Sequence, residues 1–193
     1  MRSARLAAVP LWVMAAAFVL PAYRACEAPF SPAEYATHSA FSFAWVTPPF
    51  LFAAVFAVLT AVALQRRAAT QQVRRLGLLA VGAMAALTLT VSSIWAIAET
   101  HEWPWFLASA AGVAGAALLI RRGRGREPWH IWQHLVAAFA VLAATSGPSV
   151  FLAVEGVARP SNVYWGGWLY LGALVSLLVL SAVNLARPPS AHR

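Results

Sequence analysis

The sequence predicts an all-α fold: a polytopic integral membrane helix bundle of six transmembrane helices, one domain over residues 1–193, with a short interfacial helix in the first outer loop. Three observations predict it. Hydrophobic residues make up 61% of the chain and charged residues only 10%, too little charge for the surface of a water-soluble domain of this size. The apolar residues gather into six runs that approach or exceed the length needed to cross a bilayer, where a helix satisfies its own backbone and lipid offers no other partner. All 14 basic residues are arginine, and they fall in short clusters between the runs. That is the pattern of membrane topology rather than of a phosphate-binding face, so the lipid bilayer is an expected partner and nucleic acid is not.

The first run, Leu6–Ala22, follows Arg2 and Arg5. It also has the outline of a secretory signal, although the YRAC sequence after it makes a poor lipobox, because Arg24 occupies a position that wants a small residue. If residues 1–25 were removed as a signal, five helices would remain with unchanged topology. In the loop that follows, FSPAEY provides Ser31 as N-cap, Pro32 at the first helical position, Glu34 three residues after the cap, and Phe30 and Tyr35 as a hydrophobic staple. The expected interfacial helix runs to about Trp45, where Thr47-Pro48-Pro49 ends it and opens the second span, Ala44–Leu64.

The third span, Leu76–Ala98, follows Arg66, Arg67, Arg74 and Arg75. The fourth, Trp105–Ile120, has 16 residues. It is about 24 Å long, so Trp103 and Trp105 must sit at headgroup level to complete the crossing. Its small residues Ala108, Gly112, Gly115 and Ala116 let helix backbones approach, which predicts helix packing there and a central, most contacted helix. The fifth span, Leu135–Val154, carries Gly147 and Pro148 near its outer end, where the helix should kink or stop. The sixth is Trp168–Ala186. The outward-starting spans share an aromatic beginning and an arginine end, which the aromatic belt and the positive-inside rule explain without an internal repeat.

Six crossings put Arg2, Arg5, Arg66, Arg67, Arg74, Arg75, Arg121, Arg122, Arg124, Arg126, Arg187 and Arg193 on one side and only Arg24 and Arg159 on the other. The expected location is therefore a bacterial plasma membrane with both termini cytoplasmic. The lone cysteine, Cys26, excludes an internal disulfide, a CxxC redox pair and a cysteine-rich metal site.

Three constellations could carry chemistry. Thr88, Ser92, Trp95 and Glu99 follow a spacing of four, three and four along one face of the third span and could line a polar cavity opening outward. With the aromatic mouth of Trp45, Trp103, Trp105, Trp165 and Trp168 and the Gly-Pro of the fifth span, this stripe is the expected substrate-binding region. HIWQH places His130 and His134 on one helix face with Glu127 one turn earlier, the spacing of paired metal ligands, but no third ligand accompanies them. Two imidazoles on one helix face also cannot ligate opposite faces of a haem. Interfacial anchoring beside Trp129 and Trp132 is the plainer role, with Asn184 as a hydrogen-bond partner for His134. On the outer side, His38 with Glu34, and His101 with Glu99 and Glu102, form an acidic, imidazole-bearing face that could capture a divalent cation.

No ionisable residue lies at the centre of any span, unlike ion-coupled carriers. No catalytic triad, HExxH, phosphate-binding loop or dinucleotide turn is present. The expectation is a small non-enzymatic membrane protein, without a predicted cofactor, that binds or passes a neutral or lipid-like molecule, or serves as an accessory subunit beside a membrane-protein partner or a second copy. The second reading is a metal- or haem-dependent membrane redox enzyme, or a metal-handling protein, using the paired histidines.

Overall fold

The computed structural model describes residues 2–25, 28–66, 70–98, 103–124 and 127–186. Among them the chain forms α1 (Arg2–Ala16), continued by a 3-10 turn over Ala17–Val19, and a small antiparallel hairpin of β1 (Tyr23–Ala25) and β2 (Ala28–Phe30). Then follow α2 (Pro32–Ala36), α3 (Ala40–Gln65), α4 (Gln71–Ala98), α5 (Trp103–Gly123), α6 (Pro128–Ala144), α7 (Gly147–Ala158) and α8 (Trp165–Ala186). The all-α class holds. Four helices, α3, α4, α5 and α8, are long and apolar enough to cross a membrane, and a fifth crossing results if α6 and α7, bent 58° apart, form one broken span.

By length and apolarity among the described residues, the expected count of six is therefore not confirmed. The apolar part of the first segment is only Leu6–Val19, because its chain turns away after the 3-10 turn to enter the hairpin. Helix ends also run past the apolar stretches. α4 begins at Gln71 and includes Arg74 and Arg75, because a polar residue at a helix end costs little when its side chain reaches water.

The interfacial helix differs from expectation too. Ser31 does cap α2, accepting from the Glu34 N–H at 3.2 Å while the Glu34 carboxylate accepts from the Ser31 N–H at 2.7 Å. These bonds hold the Glu34 carboxyl below its usual range. But α2 stops at Ala36, and Ser39 starts a new helix by accepting from the Ser42 N–H at 3.0 Å. α3 then passes through Thr47, Pro48 and Pro49 without ending. Proline's fixed φ is already helical, so its cost is the lost N–H and a local bend rather than termination.

The fourth span is not the central helix. Only 17% of the apolar stretch of α5 is buried within the bundle. The centre is α6, whose residues Leu135 to Ala140 are all buried. Around it pack Phe56 of α3, Met84 of α4 and Leu177 of α8, and α1 packs on α3 and α8 with its Leu11 and Met14, all five side chains fully buried. Phe139 stacks on Phe56 with centroids 4.9 Å apart, and Trp132 lies against the same ring at 5.6 Å. Small residues on α5 bring one stripe close to α6 but do not reach far enough to hold neighbours on the other faces.

Glycines set the approach of α4 and α5 to α6. A Cβ on Gly77 would lie 2.9 Å from Trp132 Cζ3, one on Gly123 would lie 3.0 Å from His134 Cβ, and one on Gly112 would overlap the Thr145 hydroxyl. At the other end the hairpin ties α1 to α8. The Tyr164 N–H donates to Ala22 O and the Gly166 N–H to Pro21 O, each at 3.0 Å. Cβ atoms on Gly166 and Gly167 would sit 2.5 and 2.6 Å from those two carbonyl oxygens, so bare backbone meets bare backbone.

This packing predicts that Gly112→Ala lowers the thermal stability of the detergent-solubilised protein by about 1–3 kcal/mol, the usual cost of overpacking. Thr145→Ala in the same chain should recover part of the loss, measured as a double-mutant cycle by circular dichroism.

Candidate functional site

At the hairpin end of the bundle a narrow cleft opens between α3, α4, α5 and the break between α6 and α7. Its cavity volume is about 20 Å³. α3 contributes Ala44, Trp45, Pro48 and Pro49, α4 contributes Thr88, Val91, Ser92 and Trp95, α5 contributes Trp105 and Ser109, and the break contributes Ser146 and Gly147.

Each wall has a local cause. On α4, Thr88, Ser92 and Trp95 share a face because steps of four and three return to the same side of a helix. On α3, Pro48 and Pro49 have no N–H, so the carbonyls of Ala44 and Trp45 lose their ordinary helical donors. Irregular backbone of this kind is tolerated at membrane depth where it lines a cavity. The break in the third wall follows from Thr145-Ser146-Gly147-Pro148, with Pro148 in the first turn of α7.

Trp45 organises the mouth. A Cβ on Gly147 would fall on its indole nitrogen and within 2.6 Å of its Cε2, so the ring lies directly on the glycine. Trp95 meets Trp45 edge-on at 5.2 Å, and Phe41 meets Trp95 edge-on at 5.6 Å. Tyr35 and Phe151 flank Trp45 at 6.2 and 6.3 Å. Edge-to-face pairs of this kind add about 0.5–1.5 kcal/mol each beyond their contact area.

The hydroxyls of the cleft are already engaged as donors. Thr88 donates to Met84 O at 2.8 Å, Ser92 donates to Thr88 O, and Ser146 donates to Ala143 O at 2.7 Å. The proton count then orients the next bonds: Ser149 donates to Ser146 at 3.1 Å and the Tyr170 hydroxyl donates to Ser149 at 2.6 Å, clasping the break to α8. The lone pairs left on Thr88 and Ser92 make the cleft wall an acceptor surface. Among the described residues no ionisable side chain lines it.

The structure thus brings Thr88, Ser92 and Trp95 together with Trp45, Trp105 and the Gly147 break. It leaves Trp103, Trp165 and Trp168 apart from the cleft. Trp103 is half exposed and stands edge-on to Phe106 at 5.5 Å, Trp165 is 54% exposed at the start of α8, and Trp168 packs over Gly156. Glu99, His101 and Glu102 lie outside the described residues. Ala108 and Gly115 are half buried beside the more buried stripe of Ser109, Gly112 and Ala116, and Val141 Cγ1 lies 3.4 Å from where a Gly115 Cβ would be. Sequence reasoning missed Ser109, Ser146 and the proline pair as cleft walls. The lost N–H groups at Pro48 and Pro49 were the available signal.

The histidines are placed differently from their expected partners. His134 is buried against Gly123, with Nδ1 2.7 Å from His130 O of its own helix. Asn184 faces the opposite side of α6, beside Gln133, and among the described residues no hydrogen bond joins it to His134. His130 Nδ1 is 3.9 Å from a Glu127 carboxylate oxygen. His38 stacks on Tyr35 and has Nδ1 3.1 Å from Glu34 O, while the Glu34 carboxylate turns back to its cap. Among the described residues no three of His, Cys, Asp and Glu converge as a metal site would require.

Gly147→Ala should push Trp45 off the break and disturb its pairing with Trp95. The expected result is a weaker near-UV circular dichroism signal with an unchanged far-UV spectrum, and an unaltered near-UV spectrum would contradict the contact. No family model, curated protein or solved structure matches the chain, so the functional reading rests on the geometry of the cleft.

Proposed function

We propose that this chain is a six-span protein of a bacterial plasma membrane, with both termini cytoplasmic, that binds or passes a neutral or lipid-like small molecule through the cleft at its outer end. The observation that carries the reading is the composition of that cleft: Trp45, Trp95 and Trp105 around hydroxyl oxygens whose protons are used internally, with no ionisable lining among the described residues. Such a wall stacks against an apolar body and accepts a hydrogen bond from a neutral hydroxyl or amide. It offers a charged ligand no counter-ion, which in a low-dielectric site disfavours one strongly.

Counting α6 and α7 as one crossing is supported by their ends. Trp132 near the start of α6 packs on Gly77 near the start of α4, whereas α8 starts beside Pro21 and Ala22 at the hairpin end. The chain must traverse the bundle between these points. α1, whose Leu11 and Met14 are fully buried, supplies the sixth crossing, its short apolar part matched by local thinning of the bilayer. The arginine clusters support a cytoplasmic placement of the end opposite the hairpin.

Two outcomes test this. The organic extract of purified protein should contain a neutral lipid or apolar solute whose re-addition raises the unfolding temperature. Ala44→Phe, which fills the cleft from its rim, should abolish that rise while keeping helical content; a response retained in this variant, or none in the wild type, sinks the reading. In intact cells a membrane-impermeant maleimide should label the native Cys26, whereas Gln71→Cys in a Cys26→Ser background should be labelled only after permeabilisation. The reverse pattern overturns the orientation.

A further inference from the structure

A second, narrow pocket lies at the opposite, arginine-flanked end, between α1, α3, α6 and α8, with a cavity volume of about 20 Å³. Two of its lining side chains carry buried polar atoms without a hydrogen-bond partner, Thr60 Oγ1 and Trp132 Nε1. Both residues are only 1% exposed. The Thr60 hydroxyl, like that of Thr47 on the same helix, lacks the bond to a carbonyl of its own helix that Thr88, Ser92, Ser93 and Thr145 make. Trp132 is held with its benzo edge wedged against Gly77 of α4, so its N–H edge turns away from α4 toward the side where the other three helices stand.

An unpartnered buried donor is destabilising, and two on residues that line one pocket make the empty state doubly unfavourable. Indole N–H only donates, so the missing partner is an acceptor oxygen. Gln133 and Asn184 add neutral amides, Ser181 a hydroxyl, and Ala7 and Val136 apolar walls, and no ionisable group among the described residues lines the site. Thr60 lies five residues before the end of α3 and Trp132 four after the start of α6. At the helical rise this is about 6–8 Å inside the bundle end, the depth at which the hydrocarbon layer gives way to the interface.

We infer that this pocket is a binding site for a neutral carbonyl carried on an apolar body, its oxygen accepting from Trp132 Nε1 and Thr60 Oγ1. Two sources supply that chemistry at this depth, the ester carbonyl of a glycerolipid and the ring carbonyl of a membrane quinone. The site is separate from the outer cleft and shares no lining residue with it.

The test uses the full chain with ¹⁵N-labelled tryptophan in nanodiscs of diester lipid and in nanodiscs of diether lipid with the same headgroup and chain length. The Trp132 indole resonance is assigned by its proximity to the Phe56 ring. A downfield position in diester lipid that moves upfield in diether lipid identifies a lipid ester as the occupant. An upfield position in both that moves downfield when a short-chain quinone is added identifies the quinone. Thr60→Val should reduce either shift without altering the far-UV spectrum. An indole resonance that stays in one place across all three conditions, as a trapped water would produce, overturns the proposal.

Discussion

The contact of the Trp45 indole with Gly147 is the constraint on which the hairpin end of this protein depends. It requires three things at once: a residue without a side chain, a break that exposes that residue's backbone, and a tryptophan carried to it from another helix. The break arises where α6 ends at Ala144 and α7 begins at Gly147, 58° away. Trp45 arrives because α3 continues through its proline pair instead of ending there. Trp95 then leans on Trp45, Phe41 leans on Trp95, and the cleft takes its shape between them. The Ser146–Ser149–Tyr170 chain clamps the same break from the far side, so the bend is fixed from both directions.

Elsewhere the bundle is held by fit rather than by avoidance of water. Helices in lipid gain little from hiding apolar surface from one another, so close packing and a few hydrogen bonds decide the arrangement. That explains why glycine occurs where α4 and α5 meet α6, and why large rings fill the centre of α6. It also explains the place of α5, a helix rich in small residues that packs on α6 and α4 and leaves most of its apolar surface outside the bundle.

The two ends of the molecule use hydroxyl groups in opposite ways. At the hairpin end Thr88, Ser92 and Ser146 spend their protons on nearby carbonyls and present only lone pairs. At the arginine end Thr60 and Trp132 leave donors unpaired in a pocket. Identical residue types in similar helices thus create surfaces of opposite hydrogen-bonding sense, and the difference lies in which neighbours surround each side chain.

Composition alone determined that this is a helical membrane protein, because apolar runs of such length have no other way to satisfy their backbone. Local chemistry in the sequence also determined the Ser31–Glu34 capping box, the break at Gly147-Pro148 and the shared face of Thr88, Ser92 and Trp95, since each depends on residues within a turn or two. Only the tertiary structure decided that α6 and not α5 is central, that three of the outer tryptophans stand away from the cleft, and that His134 meets Gly123 while Asn184 lies across the helix from it. The hairpin was illegible for the same reason: its three-residue strands are stabilised by α8, which is distant in sequence. Periodicity gives the angle at which a side chain leaves its helix. Which surface waits at that angle depends on how the other helices pack, and that is set by the shapes of many side chains together.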